Sequence, residues 1–168
     1  AISFGAEYSD DPHIPVSIIK NPIPNIDDLS ALNLEKATIK NDEKAAKCYE
    51  AVHILSDELG DEVPCGMGFP GVITAASSLV GVPQLLKAML RKPEQVYALL
   101  DFTLQALLQM AEPFIKEGYG IMVSDPVASG TIFSVKQFRE FAKPYCSRFV
   151  DGCKSFNRDV AVSCHICG

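Results

Sequence analysis

Three short apolar runs, residues 62–69, 119–124 and 160–165, are separated by long stretches whose apolar side chains recur every three or four positions. Crossovers of that length demand parallel pairing, because antiparallel neighbours are joined by a turn of a few residues. The predicted order is strand, helices, strand, helix, strand, an α/β arrangement that fits either an open doubly wound sheet or a closed barrel. A (β/α)₈ barrel needs about 250 residues, so a chain of 168 residues would be a partial barrel.

The helices are legible one by one. Ala45, Cys48, Val52, Leu55 and Leu59 predict a helix over residues 42–59 that stops at Gly60. Residues 72–80 and 83–90 predict two short helices parted by Gly81-Val82. A long helix starts at Pro93-Glu94 and ends at Gly118, with Pro113 expected to bend its last turns. Ser134 and Gln137 fit a capping box that opens a helix running to Asn157, with a kink expected at Pro144. Residues 1–40 carry clustered Pro and Asp around the run 16–19 and predict extended segments and turns, with a short helix over 25–32. The strand 160–165 is apolar enough to be buried on both faces. The strand 62–69 is read as entering a glycine-rich turn that leads to the first of the two short helices.

Composition removes several functional classes. With 48% hydrophobic and 21% charged residues the chain has the make-up of a folded domain. Its 15 basic against 21 acidic residues, net charge −6, leave no basic cluster able to neutralise a run of phosphates, so nucleic acid is not an expected partner. Apolar stretches are interrupted well before the roughly 18 residues of a membrane span, and with no visible secretory leader the protein is expected to be cytoplasmic. The six cysteines are too sparse for a secreted disulfide scaffold. The first residue, Ala1, and the last, Gly168, both suggest a truncated chain, a fragment of one barrel domain spanning 1–168.

Two places carry candidate chemistry. His165 and Cys167 stand two apart at the C-terminal end of the third predicted strand, so both project from one face, and in a barrel that end is the active-site mouth. Imidazole and thiolate suit Zn²⁺, although a catalytic site needs three protein ligands and only two are visible. Packing inside a strand is the plainer alternative for such a pair. The second place is the loop after Ser124, where Asp125 would reach the same mouth while Ala128, Ser129 and Gly130 leave room for a ligand; Asp-Pro is also an ordinary turn starter. The run Gly66-Met67-Gly68-Phe69-Pro70-Gly71 matches the dinucleotide fingerprint formally, but Pro70 removes a phosphate-binding N–H and no acidic residue follows at the required distance. His13 and His53 have no catalytic neighbour at a telling spacing. Cys146 and Cys153, seven apart, share a core-facing stripe too long for a disulfide, and Cys164 points away from His165 toward a helix.

From Ala6 onward the chain resembles the uroporphyrinogen decarboxylase superfamily. The resemblance rests on Leu59-Gly60-Asp61-Glu62-Val63-Pro64, on Gly68-Phe69-Pro70-Gly71 leading to Thr74-Ala75-Ala76-Ser77, and on Ser124-Asp125-Pro126-Val127-Ala128-Ser129-Gly130, followed by Phe138-Arg139-Glu140-Phe141 and Pro144-Tyr145. The closing His165-Ile166-Cys167-Gly168 resembles the zinc motif of the methylcobalamin:coenzyme M methyltransferase branch. The resemblance implies a (β/α)₈ barrel and a corrinoid-dependent methyltransferase that passes a methyl group to a small thiol such as coenzyme M. His165 and Cys167 would then bind zinc, with a further Cys beyond Gly168, and Asp125, Ser129, Gly68 and Ser78 would line the substrate pocket. The methylcorrinoid would arrive on a partner protein, since Asp11-Pro12-His13 does not continue into a base-off corrinoid signature. Ser78 stands where decarboxylases carry an active-site Tyr, and Val72-Ile73 replaces their usual Pro-Phe. The alternatives are a uroporphyrinogen decarboxylase of tetrapyrrole biosynthesis, which would gather Arg residues at its mouth, and a non-catalytic zinc-binding homologue, which would need four ligands. The fragment alone is expected to be inactive.

Overall fold

The computed structural model describes residues 1–9, 11, 13 and 17–167. Val16 and Gly168, part of two of the motifs read above, and Pro12 lie outside them. A small antiparallel hairpin of β1 (Glu7–Tyr8) and β2 (Ile18–Lys20) leads through turns to α1 (Glu43–Leu59). There follow β3 (Gly66–Pro70), α2 (Val72–Val80), α3 (Val82–Arg91), α4 (Pro93–Lys116), β4 (Gly120–Ser124), α5 (Val135–Gln137), α6 (Lys143–Phe156) and β5 (Val162–His165). Strands β3, β4 and β5 lie side by side in that order, all parallel. The strand-helices-strand-helix-strand order read from periodicity is the order observed.

Register decides which side chains face the helices. Phe69, Val123 and Cys164 stand in one row, as do Met67, Ile121 and Val162; the intervening rows are Gly68, Met122, Ser163 and Pro70, Ser124, His165. Phe69, Ile121 and Val123 are buried against α4, whose Leu99, Leu100, Leu104, Phe114 and Ile115 are buried too. The alternate face is open, with Met122 53% exposed. This corrects the expectation that the third strand is buried on both faces: Ser163, Cys164 and His165 are exposed, because β5 pairs only with β4 among the described residues and its second face carries no layer. Only Val160, just before it, is fully buried.

Three further local readings change. The first strand begins at Gly66, not at residue 62, because the N–H groups of Glu62 and Val63 both fold back to the Leu59 carbonyl and extend the end of α1 as turns. Gly66 to Pro70 is strand and Gly71 caps the helix that follows, in keeping with a strand that enters a glycine-rich turn. A Cβ on Gly66 would stand 2.6 Å from the Gly120 carbonyl oxygen of the neighbouring strand, so the missing side chain permits the pairing. The short helix expected over 25–32 is a series of turns: Asn25 Oδ1 accepts from Asp27 N at 3.1 Å and Asp28 Oδ1 from Ser30 N at 3.2 Å, local bonds that compete with a helix. At Pro144 the kink takes the form of a π-helical turn, Phe138–Ala142, in which Lys143 N donates to Phe138 O. A proline has no N–H and its ring crowds the carbonyl four residues earlier, and a widened turn relieves both. The capping box at Ser134 and Gln137 is present in both directions.

One tie joins the end of β4 to the start of α2. Gly71 occupies the cap position of α2 and offers no side-chain acceptor; Asp125, from the far end of the neighbouring strand, supplies it. Asp125 Oδ1 accepts from Thr74 N at 2.8 Å and from Thr74 Oγ1 at 2.6 Å, and Oδ2 accepts from Ile73 N at 3.3 Å. A Cβ on Gly71 would stand 2.3 Å from Asp125 Cβ, Cγ and Oδ2, so the carboxylate fits only against a glycine. Helices α4 and α6 are joined by Tyr145, whose hydroxyl donates to Asp101 Oδ1 at 3.0 Å and which is 4% exposed. Burial and the Asp101 carboxylate push its phenol up to about 12, and burial pushes the Cys153 thiol on the same helix up to about 11. Among the described residues no single helix is long and apolar enough to cross a membrane; the bent pair α2 and α3 passes on composition together, but Ile73, Ala76, Leu79 and Leu85 are buried in the core.

Replacing Gly71 by Ala overpacks this junction and is expected to lower stability by roughly 1–3 kcal/mol. Asp125→Ala, which strands the Ile73 and Thr74 N–H groups, is expected to cost about 1–3 kcal/mol for each group left unpaired; urea denaturation of both variants checks the pair. The Tyr145 and Cys153 shifts carry a pH signature. Both groups keep their proton in the folded chain where the unfolded chain has already lost it, so stability falls as pH rises through the window from about 10 to 12 for Tyr145. Denaturation midpoints of Tyr145→Phe should fall less across that window than those of the parent.

Candidate active site

His165 ends β5 and Cys167 follows two residues later; the His165 Nε2 and Cys167 Sγ lie 3.2 Å apart and both residues are exposed. Their neighbours fix the backbone that carries them. Asp125 N donates to the His165 carbonyl at 2.9 Å, continuing the β4–β5 ladder, and Gly71 N donates to Ser124 O at 2.7 Å on the other side. His165 stands in the row of Pro70 and Ser124, on the open face of the sheet. The pair therefore stands at the C-terminal end of the parallel strands, on β5 beside β4.

The donor set and its spacing fit zinc. Bonds of about 2.0 Å to nitrogen and about 2.3 Å to sulfur at a tetrahedral angle separate the two donors by about 3.5 Å, near the observed 3.2 Å. Among the described residues no third His, Cys, Asp or Glu joins them. A catalytic zinc site takes three protein ligands, so this pair alone would not complete one.

The four residues expected to line a pocket are not gathered in one cavity. Asp125 is 6% exposed with its carboxylate turned into α2; burial raises its carboxyl from the ordinary value while the bonds from Thr74 and Ile73 pull it back. Ser129 is 3% exposed, its hydroxyl 3.0 Å from that of Thr131. Its carbonyl accepts from Ile132 N and Phe133 N, so Ser129 braces the loop after β4. Gly68 lies on the open face of the sheet beside Met122. Ser78 donates to the Thr74 carbonyl at 2.9 Å and borders an apolar cavity formed with Phe4, Phe69, Leu79 and Phe102.

Thr74 is the residue that motif reading missed. Its hydroxyl donates to Asp125 and accepts from Val127 N at 3.3 Å, which fastens the loop after β4 to α2. The signal was the absence of a capping side chain at Gly71. Cys164 points to the helix side of β5, as expected, where its sulfur lies 4.0 Å from that of Cys146 on α6. Burial first, then the neighbouring Cys146 and Asp125, push its thiol up to about 11. His53 is not isolated: its Nδ1 meets the Tyr119 hydroxyl at 3.1 Å and its Nε2 meets Glu117 at 3.0 Å, at the opposite end of the strands from His165.

Residues 1–168 match the family profile described as Uroporphyrinogen decarboxylase (URO-D). The methylcobamide:CoM methyltransferase MtaA of Methanosarcina barkeri (strain Fusaro) is 27% identical over 157 residues, and the methylcobamide:CoM methyltransferase MtbA of Methanosarcina acetivorans is 29% identical over 153. Each alignment covers 90% of this chain and 43% of the relative, so the chain spans less than half the length of these relatives. A solved methyltransferase from Methanosarcina mazei superposes with a TM-score of 0.84 at 25% identity, over 99% of this chain and 48% of that one. The three parallel strands and their helices are thus part of a TIM-type barrel, and the chain belongs to the uroporphyrinogen decarboxylase (URO-D) family.

Proposed function

We propose that the intact protein is a methyltransferase that takes a methyl group from a corrinoid carried by a partner protein and gives it to a small thiol such as coenzyme M. The observation that carries this reading is the His165 and Cys167 pair, 3.2 Å apart at the C-terminal end of β5. The names of the relatives agree with it. His165 and Cys167 would hold zinc together with a further Cys from the remainder of the protein. Zinc bound there supplies a Lewis acid that keeps a thiol deprotonated at neutral pH.

The chain's own residues do the positioning. The ladder bond from Asp125 N to the His165 carbonyl fixes the strand end, and the Asp125 carboxylate fixes the β4 end against α2, so the imidazole is presented from a rigid base. Ser129 shapes the adjoining loop, while Gly68 keeps the open face of the sheet free of bulk and Ser78 offers a small hydroxyl beside an apolar wall. A decarboxylase acting on a tetrapyrrole carboxylate would be expected to place arginines at the mouth. Here Arg91 ends α3, Arg139 lies in the π turn, Arg148 pairs with Asp101 at 2.7 Å on α6 and Arg158 follows α6, so none stands at a strand's C-terminal end.

The test uses the full-length protein. Zinc is expected in the purified protein by metal analysis, and His165→Ala with Cys167→Ala should bring zinc to background and lower thiol methylation by roughly 100-fold or more, beyond the loss typical of outer-shell changes. Full zinc content and unchanged thiol methylation in the double variant would remove the proposal.

A further inference from the structure

Two cysteines face each other across the layer between the sheet and α6. Cys164 stands in the row of Phe69 and Val123, the row that is turned toward the helices. Cys146 lies on α6 between Tyr145 and Phe149, both of them buried. The two sulfurs are 4.0 Å apart, and neither cysteine is in a disulfide. Core packing sets this distance, and every element that sets it belongs to the described chain. The Tyr145 hydroxyl bonds the Tyr97 carbonyl at 3.2 Å and Asp101 Oδ1 at 3.0 Å, which holds α6 to α4 one residue before Cys146. Asp125 N bonds the His165 carbonyl at 2.9 Å, which holds β5 to β4 one residue after Cys164.

With Val123, Phe149, Val150 and Val162 the two cysteines border a cavity of only about 10 Å³, at the lower limit for a single water. Nothing larger fits beside the sulfurs, so the reactive neighbour of each thiol is the other thiol. The remaining cysteines are worse partners. Cys153 is two helical turns from Cys146, beyond the reach of a disulfide. Cys167 lies beside the His165 ring, 3.2 Å from Nε2, and His165 is on the opposite face of the sheet from Cys164.

We propose that Cys146 and Cys164 are a redox-active pair, which a low-molecular-weight disulfide oxidises to a bond that ties α6 to β5. One cysteine thiolate attacks a sulfur of the small disulfide, whose S–S bond breaks and releases one small thiolate, leaving a mixed disulfide on the protein. The second cysteine thiolate attacks the protein sulfur of that mixed disulfide; the Cys146–Cys164 bond forms and the second small thiolate leaves. Two electrons pass from the cysteines to the small disulfide, and the two cysteine protons end on the two small thiols. An S–S bond is about 2.05 Å long, so the sulfurs approach by about 2 Å, through rotation of the two side chains. The bond closes the loop between Cys146 and Cys164, which constrains the unfolded chain and makes the oxidised protein the more resistant to denaturant. It forms on the face away from His165 and does not rest on the methyltransferase reading.

The experiment treats the reduced, folded full-length protein with glutathione disulfide and maps the product by non-reducing digestion and mass spectrometry. The expected product is a peptide pair joined through Cys146 and Cys164, with an intact mass lower by two hydrogens that returns to its starting value with dithiothreitol. The urea midpoint should be higher for the oxidised than for the reduced protein, and that shift should be absent from Cys146→Ala and from Cys164→Ala. The peptide map of the parent decides the matter on its own if a variant does not fold. Four results overturn the proposal: no reaction at either cysteine, glutathione adducts that do not resolve into a cross-link, a bond to Cys167 or another cysteine instead, or cross-linking only after the chain is unfolded. A cross-linked protein with an unchanged urea midpoint overturns it as well. Metal analysis of the same samples reports separately on His165 and Cys167.

Discussion

The Asp125 carboxylate holds the described half of the barrel in register. It sits where β4 ends, accepts three hydrogen bonds from Ile73 and Thr74 at the start of α2, and occupies the space that a side chain on Gly71 would fill. Its own N–H continues the ladder to the His165 carbonyl. Three strand ends, two loops and one helix terminus therefore meet at a single residue. A carboxylate at a helix N-terminus answers both the unpaired N–H groups and the dipole, and the site is buried, so those bonds are exchanged with no water and losing them leaves donors stranded. The cost of burying the charge appears in the raised carboxyl, which the Thr74 and Ile73 bonds only partly offset.

This arrangement explains what could and could not be read from the residues. The long helices were legible because their apolar stripes repeat over four or more turns and their ends carry local signals: Gly60, Pro93 and the Ser134 box. The order of strands followed from the length of the crossovers. Asp125 was legible as a residue at the mouth, but its partners lie more than 50 positions earlier in the chain, beyond any local pattern. The need for glycine in the Gly66 to Gly71 run has the same long-range origin: a neighbouring strand approaches Gly66 and a neighbouring carboxylate approaches Gly71. The turns over 25–32 are the opposite case, a local competition between Asx side chains and helix that was present in the residues and underweighted.

The closeness of His165 and Cys167 was legible as spacing, since two residues on, a strand returns to the same face. Its geometry could not be read, because 3.2 Å between donors depends on the backbone of Ile166 leaving the strand just after His165. The match over residues 1–168 agrees with the family that the motifs resemble. A chain covering 43% of its methyltransferase relatives holds only part of their scaffold.

Strand alternation also sorts the thiols at this end of the sheet. Cys164 and Cys167 are three residues apart, yet one backbone step places Cys164 on the helix side and His165 on the open side. On the helix side the sulfur of Cys164 lies 4.0 Å from that of Cys146, and partial desolvation with a second thiol nearby pushes it up to about 11, although the residue as a whole is exposed. Cys167 is exposed beside an imidazole nitrogen, the kind of neighbour with which a thiolate can share a metal. A one-residue slip of β5 against β4 would exchange the two faces, turning His165 toward α6 and presenting Cys164 in its place. The ladder bond from Asp125 N to the His165 carbonyl opposes that slip, so the residue that caps α2 also decides which side chain reaches the mouth.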